Sequence, residues 1–160
     1  MIAVLADTHM PKGTRRLPGR CVELIGAAEA TIHAGDFVAT EVLDLLESLG
    51  PPVYAVHGNV DEPALQDALP EELEIRLGNR TLALVHDAGP AKGRLTRLRL
   101  RFPGADAVVF GHSHLPLREE EGGFQIFNPG SPTERRRAPR ASMGLLNYAS
   151  GKLVFEHVWL

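Results

Sequence analysis

The segment Ile2-Ala3-Val4-Leu5-Ala6-Asp7-Thr8-His9 joins an unbroken apolar run to a carboxylate and an imidazole. A short run without polar interruption is the mark of a strand buried on both faces. Four later segments repeat the construction. Ile32-His33-Ala34 leads to Gly35-Asp36, and Ala55-Val56-His57 leads to Gly58-Asn59-Val60-Asp61. Leu84-Val85 leads to His86-Asp87, and Val109-Phe110 leads to Gly111-His112-Ser113-His114. In open α/β sheets, ligands bind beyond the carboxyl ends of the strands. If the five strands lie side by side, Asp7, His9, Asp36, Asn59, His86, His112 and His114 converge there.

The stretches between these runs supply the other elements. The pattern predicts helices over 17–28, 41–49, 63–69 and 91–102. Pro18 stands near the first turn of the first helix, Thr40 is the expected N-cap of the second, and Gly50 is its stop. Hairpins are expected at 73–85 around Gly78-Asn79-Arg80, at 115–127 around Glu121-Gly122-Gly123, and at 143–159 around Ser150-Gly151. The first part alternates strand and helix, and the second is dominated by hairpins. No repeat or linker divides them. The expected fold is α/β, a single domain over 1–160. It has two facing mixed sheets flanked by helices, a four-layer α/β/β/α sandwich.

The bulk numbers fit that frame. The chain has 160 residues, 44% of them hydrophobic, enough for one packed domain. A net charge of −3 argues against a stable complex with nucleic acid, but not against a phosphorylated small molecule, because bound cations would add positive charge locally. The single cysteine, Cys21, cannot form an internal disulfide, so a reducing compartment is the default. The first run is too short for a signal sequence, and no stretch reaches the roughly 20 apolar residues that span a bilayer. A cytoplasmic protein without membrane association is expected. A homodimer or higher homo-oligomer remains open.

Carboxylate, imidazole and amide oxygen together suit Mn, Fe, Zn or Co rather than a thiolate site. Seven candidate ligands are too many for one tetrahedral ion. They suit two ions about 3.5–4 Å apart, as in two-metal phosphatases and nucleases. Gly35, Gly58 and Gly111 are expected to let the backbone turn sharply where each strand delivers its ligand.

The ordered set D-x-H, G-D, G-N-x-D, H, G-H-x-H and N-P-G-S, the last as Asn128-Pro129-Gly130-Ser131, resembles the calcineurin-like metallophosphoesterase superfamily. It is most similar to that superfamily's small bacterial and archaeal phosphodiesterase branch. The resemblance runs from Asp7 to the closing strands. It implies two divalent transition-metal ions, Mn first, with Ni, Fe, Co or Zn as alternatives. Asp7, His9 and His114 would hold one ion, Asn59, His86 and His112 the other, and Asp36 would bridge them. A hydroxide held between the ions would attack phosphorus in line with the leaving oxygen. Asp36, Asn59 and His112 would thus hold the nucleophile and the phosphate.

Two positions depart from the pattern. Many members carry a histidine after the Gly-Asn pair, thought to protonate the leaving group, and here Val60 occupies that position. The acid is left to water, Asp61 or a substrate group. Asp87 replaces a usual glycine and is read as a turn residue rather than a partner of His86. His33 and His57 read as core histidines bonded to backbone, His157 as a surface residue, and Cys21 as a small apolar residue. Arg94, Arg97 and Arg101 read as a solvated helix face. Arg135, Arg136, Arg137 and Arg140 follow the N-P-G-S motif, and one of them could hold the substrate phosphate. The rival reading is a non-catalytic protein-interaction scaffold, as in the retromer subunit related to this branch. An intact ligand set argues against it. A zinc hydrolase of the metallo-β-lactamase type would need a compact His-x-His-x-Asp-His cluster, which the sequence lacks.

Overall fold

The computed structural model describes residues 1–149 and 151–160. Its strands are β1 (Ile2–Leu5), β2 (Ala30–Ala34), β3 (Val53–Val56), β4 (Glu72–Leu77), β5 (Arg80–Val85), β6 (Ala107–Val109), β7 (Leu117–Glu121), β8 (Phe124–Asn128), β9 (Ser142–Ala149) and β10 (Lys152–Trp159). Its helices are α1 (Gly19–Gly26), α2 (Thr40–Ser48), α3 (Pro63–Ala68) and α4 (Arg94–Arg101). Ser150, in the expected last turn, lies outside the described residues.

The strands form two five-stranded sheets, in the orders β10-β9-β1-β2-β3 and β4-β5-β6-β8-β7. Both are mixed. β1, β2 and β3 run parallel, as do β5, β6 and β8, while β9, β10, β4 and β7 are antiparallel to their neighbours. Three apolar layers fill the molecule. Ile2, Val4, Ile32 and Val56 meet Leu82, Leu84, Val109 and Phe127 between the sheets. Ala3, Leu5 and Ala55 face Cys21, Ile25, Val42, Leu46 and Leu65 of the helices over the first sheet. Ala83, Val85, Val108 and Ile126 face Leu98 of α4 over the second. Alternate residues of β1 therefore enter two different cores, which is why its sequence shows no polar alternation. The four-layer α/β/β/α expectation holds.

The element ends differ in places. Helix α1 begins two residues later than expected, because Pro18 is extended at its N-cap. Helix α4 begins at Arg94 instead of 91, because Gly93 sits in the left-handed region (φ 68°). Thr40 is the first helical residue rather than the N-cap, and no side chain of α2 caps its own start. Instead Glu62 accepts from the Thr40 N–H at 2.7 Å and from its hydroxyl. The second hairpin turns on Gly122 and Gly123, both at positive φ (56° and 80°). That two-residue turn sets Glu121 opposite Phe124 and shifts β7 to 117–121.

Candidate metal centre

The parallel strands β1, β2, β3, β5 and β6 end at one edge of the sandwich, and the seven ligand-type residues follow them. Their ligand atoms fall into two clusters. Asp7, His9 and His114 form one, and Asp36, His86 and His112 the other, with the atoms of each within 4.8 Å of one another. Asp36 Oδ2 lies between them, 3.4 Å from His9 Nε2 and 3.2 Å from His86 Nε2. Asn59 Oδ1 joins the second cluster, 3.1 Å from His86 Nε2 and 3.0 Å from His112 Nδ1. All seven expected residues thus meet in one place.

The backbone there is strained. Asp7, His9, Asp36, His112 and His114 all have positive φ, between 45° and 66°. Such conformations cost about 1–3 kcal/mol each and persist where the surroundings over-determine them. Close approach adds a second constraint. A Cβ on Gly58 would collide with the Asp36 carboxylate, and one on Gly111 would come within 2.9 Å of Asp7 Oδ2. Only Gly35 has the positive φ of a sharp turn (87°). Gly58 and Gly111 are there for space, a correction to the expectation that all three supply turns.

Main-chain acceptors orient two of the imidazoles. His86 Nδ1 donates to the Ala34 carbonyl at 2.7 Å, and His114 Nδ1 donates to the Glu134 carbonyl at 2.7 Å. A carbonyl only accepts, so each Nδ1 carries the proton and Nε2 is turned toward its cluster. His114 Nε2 is 3.1 Å from His9 Nε2 and 3.3 Å from Asp7 Oδ1. Asn128 Nδ2 donates to the Gly111 carbonyl at 2.8 Å and fixes the turn carrying His112 and His114.

The charges fit a cation. Burial opposes ionisation of Asp36, but His86 and His9 outweigh it and hold the carboxyl well below the usual range. Asp7 is lowered in the same way, burial being overcome by His114 and His9. Burial pulls His9 down, yet the Asp36 and Asp7 carboxylates push it up to about 9. His86 is raised against burial by Asp36. Asp7 Oδ2 is buried with no hydrogen-bond partner among the described residues. A buried carboxylate oxygen without a donor is costly, and a divalent ion would satisfy it. The donors are all nitrogen and oxygen, which suits Mn, Fe, Co, Ni or Zn. The residues present therefore fit such ions.

Asp61 is a framing residue. Its carboxylate accepts the N–H groups of Gly58 (2.7 Å), Val38 (2.7 Å) and Asp36 (3.1 Å). It is 4% exposed with both oxygens engaged, so it is not placed to protonate a leaving group. Val60 at the acid position is 43% exposed. Asp87 Oδ1 accepts from Gly89 N, the turn role expected of it. His33 is fully buried, stacked on Phe37, and bonded to the Thr8 hydroxyl rather than to backbone. His57 Nδ1 reaches the Gly58 carbonyl at 3.3 Å.

Two further readings need correction. His157 is not a surface residue: it stacks on Phe127 and donates through Nε2 to the Asn128 carbonyl at 2.8 Å. Arg94 and Arg97 are not simply solvated. They donate to the Gly89 and Ala88 carbonyls at 3.0 and 2.7 Å and hold the segment after His86, while Arg101 pairs with Glu72. Of the loop arginines, Arg135 bonds the Ala138 carbonyl, Arg136 Nε lies 3.8 Å from Glu134, and Arg135, Arg136, Arg137 and Arg140 are exposed.

Residues 1–151 match the model of the calcineurin-like phosphoesterase superfamily domain. A probable metallophosphoesterase of Methanothermobacter thermautotrophicus is 32% identical over 139 residues, covering 85% of this chain and 79% of that protein. Vps29 of Entamoeba histolytica, in a crystal structure with zinc, superposes with a TM-score of 0.78 at 23% identity, over 99% of this chain and 98% of that one. An archaeal phosphodiesterase superposes with a TM-score of 0.75 at 21% identity, over 99% of each chain. The fold, the ordered motifs and these matches agree: the chain belongs to the calcineurin-like phosphoesterase superfamily.

Proposed function

We propose that this protein hydrolyses a small phosphate ester, most readily a diester, with two divalent metal ions bound at the strand ends. The observation that carries the reading is the Asp36 carboxylate between two ligand clusters, 3.4 Å from His9 and 3.2 Å from His86. Asp7, His9 and His114 would hold one ion, Asn59, His86 and His112 the other, and Asp36 both. Mn is the first candidate, with Ni, Fe, Co or Zn as alternatives. Bound there, the ions would supply Lewis acidity at the phosphoryl oxygens and a nucleophile at neutral pH.

The protein's own groups set the direction of approach. Asp7 and His114 are fully buried, whereas Asn59 and His112 are exposed. The phosphate would therefore enter from the Asn59–His112 side. A cavity of about 360 Å³ opens beside Asn59 and His86, with His57, Gln66, Asp87 and Arg101 in its wall. It offers room for one substituent of the ester. Val60 and Asp61 supply no proton, so esters with good leaving groups should react fastest. Arg136, linked through Glu134 to the first cluster, is the loop arginine best connected to a phosphate-holding role; Arg135 is spent on its own loop.

The test joins metal analysis to turnover. Two ions per chain and Mn-dependent hydrolysis of bis(p-nitrophenyl) phosphate are expected, with Asp36→Asn folded but inactive. A wild-type protein that binds two ions yet stays inactive with Mn, Ni, Co and Zn would sink the enzyme reading and favour the scaffold.

A further inference from the structure

We propose that Arg15 and Glu134 are a positioning pair that holds His114 in place and sets the affinity of the first ligand cluster alone. The inference rests on the metal-centre reading. Arg15 lies in the loop between β1 and α1, and Glu134 in the loop between β8 and β9. Arg15 Nη2 donates to Glu134 Oε1 at 2.7 Å across 119 positions of sequence. The two side chains are 23% and 25% exposed, and Arg15 Nη1 is buried without a partner among the described residues. This is not a freely solvated surface pair: the guanidinium's loss of water is offset chiefly at Glu134.

Glu134 is tied into a closed ring of contacts. Its N–H donates to Ser131 Oγ at 2.8 Å, and that hydroxyl donates to the Asp7 carbonyl at 2.7 Å. Its own carbonyl accepts from His114 Nδ1 at 2.7 Å, and His114 Nε2 returns to Asp7 Oδ1 at 3.3 Å. Thr133 Oγ1 donates to the Thr8 carbonyl at 2.5 Å and pins the same segment to the end of β1. Glu134 Oε2 also lies 3.8 Å from His114 Nδ1, placing negative charge beside a ligand imidazole. Arg15 restrains the side chain of the residue whose main chain orients His114. Apart from the His112 N–H, which donates to Asp7 Oδ1 at 3.1 Å, the second cluster uses a different frame, in which Ala34 orients His86 and Asp61 holds the Asp36 and Gly58 amides. Partners of metal-bound histidines commonly change affinity by about 10–100-fold.

The experiment titrates metal-stripped full-length protein with Mn²⁺ by calorimetry. Wild type, Arg15→Ala, Arg15→Lys and Glu134→Gln are compared, each with its melting temperature. Wild type should take two equivalents. Arg15→Ala and Glu134→Gln keep the Glu134 carbonyl, so they should weaken one equivalent by about 10-fold, the low end of that range, and leave the other unchanged, with Arg15→Lys between them and wild type. Nitrogen-15 spectra of the metal-free Arg15→Ala protein should show the His114 Nδ1–H signal broadened or shifted. Variants that bind both equivalents like wild type overturn the proposal. So does a matched loss at both sites with a lowered melting temperature, which marks a merely structural role. A wild type that binds fewer than two equivalents overturns the metal-centre reading itself.

Discussion

Asp61→Asn removes one charge from a carboxylate that anchors three backbone amides, and the structure sets the size of the effect. Oδ2 accepts from Gly58 and Asp36, and Oδ1 from Val38. An asparagine can keep its oxygen at the Oδ2 position and retain two bonds. Its NH₂ then faces the Val38 N–H, donor against donor. An unsatisfied buried amide costs about 1–3 kcal/mol, and the two retained bonds lose their charge assistance. A destabilisation of about 2–4 kcal/mol follows. In a chain of 160 residues that lowers the melting temperature by roughly 5–12 °C. Asp36 and Gly58-Asn59 lose their common anchor, so Mn²⁺ affinity should fall by about 10–100-fold as well. Urea unfolding in EDTA reads the first effect, and Mn²⁺ calorimetry reads the second. A stability within about 0.5 kcal/mol of wild type, with unchanged Mn²⁺ affinity, would refute the framing role.

Two further outcomes are expected. His33 is held down to about 3 by burial, against about 6.5 when unfolded. Between those values the unfolded chain binds more protons than the folded one, so stability is full above pH 6.5 and is lost as pH falls toward 3. At pH 4.5 this loss is about 3 kcal/mol, and His33→Asn should remove it from the pH dependence of urea unfolding in EDTA; an unchanged slope would show that His33 already titrates when folded. Gly58→Ala drives a Cβ into the Asp36 carboxylate. It should lower stability by more than about 2 kcal/mol and weaken metal binding, and an alanine variant with wild-type Mn²⁺ stoichiometry and urea midpoint would show that the strand ends have slack.

Much of this arrangement is legible in the sequence. The unbroken run Ile2–Ala6 requires cover on both faces, and β1 has it, with Val4 in one core and Leu5 in another. Gly122-Gly123 marked a hairpin because few other residues accept two successive positive φ values. His157 departs from the surface position expected for it, for a physical reason. Alternation along β10 indicates which side of the strand a residue takes, but not that Phe127 and the Asn128 carbonyl wait on that side. Arg94 and Arg97 depart from a solvated face for a similar reason, because their partners are backbone carbonyls of the preceding loop.

By itself the sequence picks out the candidate ligand set. Asp7, His9, Asp36, Asn59, His86, His112 and His114 each follow an apolar run, and strand ends are where an α/β sheet delivers polar groups. The tertiary structure alone decided how they divide. β5 pairs with β6 in the second sheet while β2 lies in the first, so His86 reaches Asp36 only because the sheets face each other. It also decided what touches the candidate ligands and their loops: the Ala34 and Glu134 carbonyls, the Asp61 carboxylate, and the Arg15–Glu134 pair across 119 positions. Main-chain acceptors carry no residue-type signature, and contacts between distant loops leave no period. Both exist only once the strands have taken their order.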